Sequence, residues 1–360
     1  MKKRAINSSL LLIVGILFSS CSNKTRENLK LIDSFPITVE LSGLPIPKIK
    51  NDFYPIQMGL EDSILIFCDV ENSPHFHAYK VPGFIYMGSF GEKGRGPGEL
   101  QNPSFWGQIQ KNGSYKLWAY QMDLCKLILL DIDKAIHEPA YESEKVIEIP
   151  LGSGEAVNII AINDSMFVGG GGDSKGEFFI YNNSQMKLEW KEFYVDPFIH
   201  QETNNLDIIT ECKRGIIKIK PDRTKFAKAL VYAPIIDIYN SCGTLELSIM
   251  LSDFKRPDIK DNEIQGSTMV YYENIFLSDN YIYALNRNCS INDYSSAGDV
   301  EIHVYSWDGK PICKYRLTEG IGPAAPFVVD EFNRKIYTVH PKSEIDFFSF
   351  FELGDELLFN

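Results

Sequence analysis

DSILIF, Asp62–Phe67, decides the fold, because the chain repeats it. Polar turn residues open the run and apolar β-formers follow. Comparable runs are GSYKLW at Gly113, DSMFVG at Asp164, TKFAKA at Thr224, NYIYAL at Asn280 and RKIYTV at Arg334, at steps of 51, 51, 60, 56 and 54 residues. A second run trails each first one: HFHAYK, KLILLD, EFFIYN, IIDIYN, EIHVYS and EIDFFS. Several units add a third, such as FIYMGSF, KLEWKEF, TLELSIM and KPICKYRL. Short runs rich in Ile, Val, Phe and Tyr, bounded by Gly, Asn, Asp and Ser, read as strands joined by hairpins. Recurrence at a nearly constant step marks a repeat architecture.

Six units of three or four strands each describe an all-β fold, a six-bladed β-propeller, in which radial repetition buries the blade faces and leaves only short edges. Two β-sandwiches would also supply many strands, but they do not explain six steps of similar length. The sixth unit stops after FFSFFEL, short of its last strand, while DSFPITVEL (Asp33–Leu41) is a spare strand ahead of the first unit. The expectation is a ring closed by an N-terminal strand, with Asp33–Leu41 completing the final blade. WDGK, Trp307–Lys310, reads as a hairpin turn of type I′, since Asp-Gly readily takes positive φ. DKAIHEPAYESEK, Asp133–Lys145, is broken by Pro139 and reads as a long loop.

The start of the chain is a targeting segment. MKKR supplies a positive region, Leu10–Phe18 a nine-residue apolar run too short to span a bilayer, and SSC a small-residue cleavage site. Cys21 stands where the lipobox of bacterial lipoproteins places the cysteine that is acylated and becomes the mature N-terminus, although Phe18 occupies a position where leucine is usual. The expected organisation is a lipoprotein signal peptide over 1–21, a linker over 22–32 after the lipidated Cys21, and a propeller over 33–360. Several acyl chains give stable attachment, so a membrane partner is expected through the lipid anchor. No Asp follows Cys21, which favours the outer membrane.

Removing Lys2, Lys3 and Arg4 with the leader takes 36 basic residues to 33 against 48 acidic ones, a net charge of about −15. Such a balance repels a polyanion, and no nucleic acid partner is expected. Six cysteines remain: Cys68, Cys125, Cys212, Cys242, Cys289 and Cys313. They form no CxxC or zinc-like cluster. Cys68 and Cys313 lie in strand-like runs, so buried free thiols are the expectation, with one or two bridges open in an exported compartment.

GEKGRGPGEL, Gly91–Leu100, has the glycines and cations of a phosphate cradle. It lacks the GxxxxGK[ST] or GxGxxG spacing and the following helix, so it reads as a corner between blades. Together with KPDRTKFAKA and VYSWDGKPICKYRL...FVVDEFNRKIYTV, it resembles the TolB-like six-bladed β-propeller lipoproteins of Gram-negative bacteria. In that family a G-x-GPGE loop follows an early blade, a PDGTKFA-like stretch opens a middle one, and a W-x-GKP hairpin precedes the last. Arg223 stands where the middle motif has glycine. The resemblance implies an exported, lipid-anchored propeller and supplies no catalytic residues.

His75 and His77 in HFHAY are a candidate metal pair on one strand face, short of the third ligand that zinc requires. Leu129–Ala135 and Gly169–Glu177 fall short of a calcium loop, and no GxSxG elbow is present. No metal and no cofactor are therefore expected. Arg95, Glu99, Trp106, Arg223 and Lys225 are the candidate binding residues, and Trp106 in NPSFWG is expected at a rim beyond the glycine loop. The other tryptophans, Trp118, Trp190 and Trp307, are expected to fill wedges between blades. The functional expectation is a binding or scaffold module of the cell envelope for a protein or glycan, without catalysis. The alternative is a glycan- or peptide-processing enzyme with its site at the central channel.

Overall fold

The computed structural model describes residues 26, 28–46, 49, 54–96, 98–138, 140–152, 154–171, 175–194, 199, 202–294, 300–318, 326–339, 348–355 and 357. Six antiparallel sheets are arranged as blades. Blade 1 runs Gln57–Glu61, Ile64–Cys68, Phe76–Lys80 and Ile85–Phe90, from the innermost strand outward. Blade 2 has a split inner strand, Pro103–Ser104 and Ile109–Asn112, then Ser114–Gln121, Lys126–Asp131 and Lys145–Glu148. Blade 3 holds Ala156–Ala161, Met166–Gly171, Phe178–Asn182 and Lys187–Lys191, and blade 4 holds Gly215–Ile219, Lys225–Leu230, Ile235–Asn240 and Leu245–Leu251. Blade 5 holds Met269–Leu277, Tyr281–Ser290, Val300–Ser306 and Pro311–Leu317, and blade 6 opens with Phe327–Asp330, Lys335–Val339 and Phe348–Glu352.

The middle strands are apolar on both faces because each blade is covered on both sides. All five residues of Ile64–Cys68 are buried. Ile64, Ile66, Phe76 and Ala78 face Leu117, Ala119, Ile128 and Leu130 of blade 2, while Leu65, Phe67 and Tyr79 face Val328, Tyr337 and Val339 of blade 6. Blades 5 and 6 pack through Ile302, Val304 and Tyr315 against Val329, Ile336 and Phe351. The interfaces run around the ring without a gap.

An N-terminal strand closes that ring, as expected, but through different residues. Leu44–Pro45 pair antiparallel with Ser349 and Phe350 and become the fourth strand of blade 6. Within the expected strand Asp33–Leu41, Thr38–Leu41 lie parallel to Lys314–Leu317 as a fifth strand outside blade 5. Part of the expected linker is also strand: Leu29–Ile32 add in parallel outside blade 4. The chain start is thus a strap across three blades.

Other local expectations change in detail. The Asp133–Lys145 segment opens with a short helix, Ile132–His137, capped by the Asp131 carboxylate. Pro139 lies outside the described residues. The Trp307–Lys310 hairpin forms, but only Gly309 has positive φ, at 79°. It is therefore a type I turn with a glycine bulge rather than type I′. Cys68, Cys125, Cys212 and Cys313 are buried free thiols, Cys289 is half-buried and Cys242 exposed. Among the described residues no helix is long and apolar enough to cross a membrane.

The strap is held by a buried charge network between blades 3 and 4. Arg26 makes a bidentate contact with Asp237, at 2.9 and 2.8 Å, and Ser248 donates to the same carboxylate at 2.5 Å. Glu177 accepts from Lys228 at 2.6 Å and from Lys213 at 3.3 Å. All five charged side chains are buried. Burial pushes the Glu177 carboxyl up, but Lys213, Lys228 and Arg26 outweigh it and hold the group well below the usual carboxylate range. Its charge therefore contributes stability above the ordinary carboxylate pKa, and that contribution is lost only as pH falls through the lowered folded value. Removing it takes the carboxylate away from two buried ammonium groups. Glu177→Gln should cost about 3–5 kcal/mol in urea unfolding at pH 7; a loss under about 1 kcal/mol would show that the cluster does not hold the two blades.

Candidate functional site

The six innermost strands begin at one end of the ring, and the residues at their starts surround a funnel of about 1000 Å³ at the channel mouth. The split inner strand of blade 2 shapes it. Pro103–Ser104 pair with Tyr120 and Gln121, whereas Ile109–Asn112 pair with Ser114–Leu117. The intervening backbone bulges at Gly107, with φ of 80°. Gln108 holds the bulge to blade 3, donating to the Ile159 carbonyl at 2.8 Å and accepting from the Ala161 N–H at 2.6 Å. Trp106 is thereby turned to the mouth, its indole N–H donating to the Val157 carbonyl at 3.1 Å.

The funnel wall is chiefly apolar and aromatic. Tyr54 (57% exposed), Ile56 (50%) and Val157 (37%) stand open at it. Tyr232, Tyr294, Val270 and Ile291 complete the wall. Such aromatics offer large contact area with a polar handle. Arg214 donates to the Tyr232 hydroxyl at 2.9 Å, lies 5.3 Å over its ring and pairs with Glu211 at 3.2 Å. Glu273 is 3.9 Å from the buried Arg287.

Met58, Trp106 and Lys218 form a neck shared by the mouth and the lower channel, which narrows to about 50 Å³. Lys218 donates to the Trp106 carbonyl at 2.5 Å and sits 6.0 Å over the indole. Burial lowers its ammonium to about 7. Glu61 and Arg223 flank the lower channel. Burial, with Asp62 and Asp279 adding to it, raises the Glu61 carboxyl. Among the described residues no group of three or more His, Cys, Asp and Glu could hold a metal.

Of the residues expected from the sequence, only Trp106 stands at this mouth. Arg95 and Glu99 line a separate groove of about 530 Å³ on the outer side of blades 1 and 2, with Gln121, Lys126 and Val146. There the Glu99 carboxylate accepts from the Gly96 N–H at 2.7 Å. It lies where a side chain on Gly94 would have to go, so the glutamate and glycine fold the loop on itself. Lys225 pairs with Glu246 at 2.6 Å on the outer side of blade 4. His75 precedes its strand, is fully buried, and has its ring nitrogens 2.8 and 3.3 Å from the Asp69 and Leu100 carbonyls. His77 lies within the strand, opposite Ser89. None of these five converges with Trp106, and Cys21 lies outside the described residues. Sequence reading missed Tyr54, Tyr232, Tyr294, Arg214 and Lys218; only the aromatic-proline pair Tyr54–Pro55 ahead of the first blade hinted at a rim.

Fold and site define a six-bladed β-propeller with an open aromatic funnel at one end of its axis and a constricted channel below. The chain belongs to the TolB-like 6-blade propeller-like family, whose model matches residues 51–332. Solved structures agree on the fold. A protein from Bacteroides fragilis described as exported is 11% identical, with a TM-score of 0.55 over 90% of this chain and 98% of its own. A DUF4221 family member from Bacteroides vulgatus is 10% identical, with a TM-score of 0.54 over 89% and 97%. No curated protein matches the sequence.

Arg223, in the family's glycine position, has φ of 59° and donates to the Ala161 carbonyl at 3.0 Å. A left-handed non-glycine residue costs about 1–2 kcal/mol. Arg223→Gly should therefore unfold at higher urea than Arg223→Ala, by about 1 kcal/mol, because both lose the bond to Ala161 but only glycine relaxes the turn. Equal stabilities would show that the turn is unstrained.

Proposed function

We propose that this chain is a lipid-anchored propeller of the cell envelope that binds a peptide segment of a partner protein in its channel mouth. The N-terminal leader, Cys21 in its lipobox-like setting and membership of the propeller family support the envelope location. The funnel carries the binding role. Its wall joins Tyr54, Trp106, Tyr232 and Tyr294 to Ile56, Val157, Val270 and Ile291. Aliphatic side chains between the aromatics suit the apolar side chains of a peptide better than the polar edges of a glycan. A funnel of about 1000 Å³ is of the size of a specific ligand pocket rather than a flat contact.

Two experiments test the parts separately. Detergent-phase partition should retain the wild type and release Cys21→Ala; equal partition would remove the anchor. Peptides selected from a displayed library on the mature protein should bind the wild type and lose at least tenfold in affinity on Val157→Arg, which fills the mouth at a partly exposed position. Binders indifferent to Val157→Arg, or binding found only on a glycan panel, would overturn the peptide reading.

A further inference from the structure

Lys218 stands out among the amines that face inward in this protein: it is half-buried at the funnel neck, whereas Lys213 and Lys228 are buried. Lys213 and Lys228 both reach Glu177. Lys218 has only the Trp106 carbonyl and the indole face, and no carboxylate lies within ion-pair distance among the described residues. The chain has 48 acidic residues to choose from. An ammonium group carries three N–H donors, so two are left over at the neck. The bulge is fitted around it: a side chain at Gly107 would fall 3.1 Å from the Lys218 nitrogen and 2.8 Å from the Met58 carbonyl.

This placement costs stability. An amine lowered to about 7 when folded, from 10.5, binds fewer protons than in the unfolded chain across that window, so stability rises with pH through it and the charged form is penalised below it. Desolvated, perturbed groups that face a cleft are where binding chemistry concentrates. Below Lys218 the channel leaves only about 50 Å³ of space, so the amine sits at the floor of the funnel, where the end of a chain fits. Glu71 and Glu273, which also line the funnel, disfavour a ligand with several negative charges.

We propose that the funnel receives the C-terminal end of a peptide, its terminal carboxylate on Lys218 and its last apolar side chains on Ile56, Val157, Val270 and Tyr232. The inference rests on the peptide reading above and adds which end enters. A carboxylate would accept the two remaining N–H donors, and the charged hydrogen bonds made at a desolvated neck are the strong kind.

The test uses the mature full chain and a library of eight-residue peptides displayed with free C-termini. The tightest binder is synthesised as the free acid and as the C-terminal amide. At pH 6.5 the acid should bind the wild type about tenfold or more tightly than the amide. That preference should shrink to about twofold or less in Lys218→Met, and the acid should weaken from pH 6.5 to 9 as the amine loses its proton. Lys218→Met should also melt above the wild type at pH 6, the gap narrowing toward pH 10; Lys218→Gln serves if the methionine variant does not fold. Equal binding of acid and amide to the wild type, or a preference that survives at position 218, overturns the proposal. Mouth-dependent binders without end preference remove only this inference, whereas the absence of any binder sensitive to Val157→Arg removes the peptide reading with it. Decanoate binding with the same Lys218 dependence, in place of peptides, would overturn the proposal in favour of a lipid carboxylate.

Discussion

A blade of this protein has two apolar faces, and neither can be left to water. Phe67 packs toward blade 6 while its neighbours Ile66 and Cys68 pack toward blade 2. A sheet of this kind is stable only between two others, so the six blades stand or fall as a ring. Leu44–Pro45 supply the last strand of blade 6, and Leu41 and Ile32 join the clusters on either side of blade 5. The channel mouth, the neck and the position of Lys218 all follow from that closure, because each inner strand contributes only a few residues to them.

The buried charges show a second way of holding two blades together. The Glu177 cluster and the Arg26–Asp237 pair sit where blades 3 and 4 meet, and they tie the segment ahead of Leu29–Ile32 to the ring. Apolar replacement at such sites is often at least as stable, so ion pairs of this kind act more through geometry than through net stabilisation. Here they hold the strap against blades 3 and 4. Lys218, a few residues from Lys213, has no such compensation, and the contrast separates a structural amine from one available to a ligand.

Legibility in the sequence followed burial. Middle strands such as ILIFC and IIDIYN are largely apolar because both faces are covered, Asp237 being the buried exception, and their recurrence gave six blades and the family. Inner strands are mixed in character: GIIKI looks like any half-exposed strand, and nothing in it marks Lys218. Trp106 was visible because it follows the glycine loop, yet that loop faces a different groove. Arg95, Glu99 and Lys225 were conspicuous by composition and lie on the outer side of their blades. Residues that meet at an axis come from every blade, and no linear spacing records that meeting. The closing strand was legible in outline, but Thr38–Leu41 reads as a better strand than Leu44–Pro45 and drew the assignment a few residues early.

The strap also sets an order of events. Leu44 and its partner Phe350 are separated by roughly 300 residues, so the segment made first must stay unpaired until the segment made last arrives. Synthesis from the N-terminus can assemble blades 1 to 5 side by side, but the seam between first and last closes only once blade 6 has been made. A prematurely ended polypeptide would leave edge strands uncovered on both sides of the gap. The seam therefore works as a completeness check, in which only a ring with all six blades hides its sticky edges.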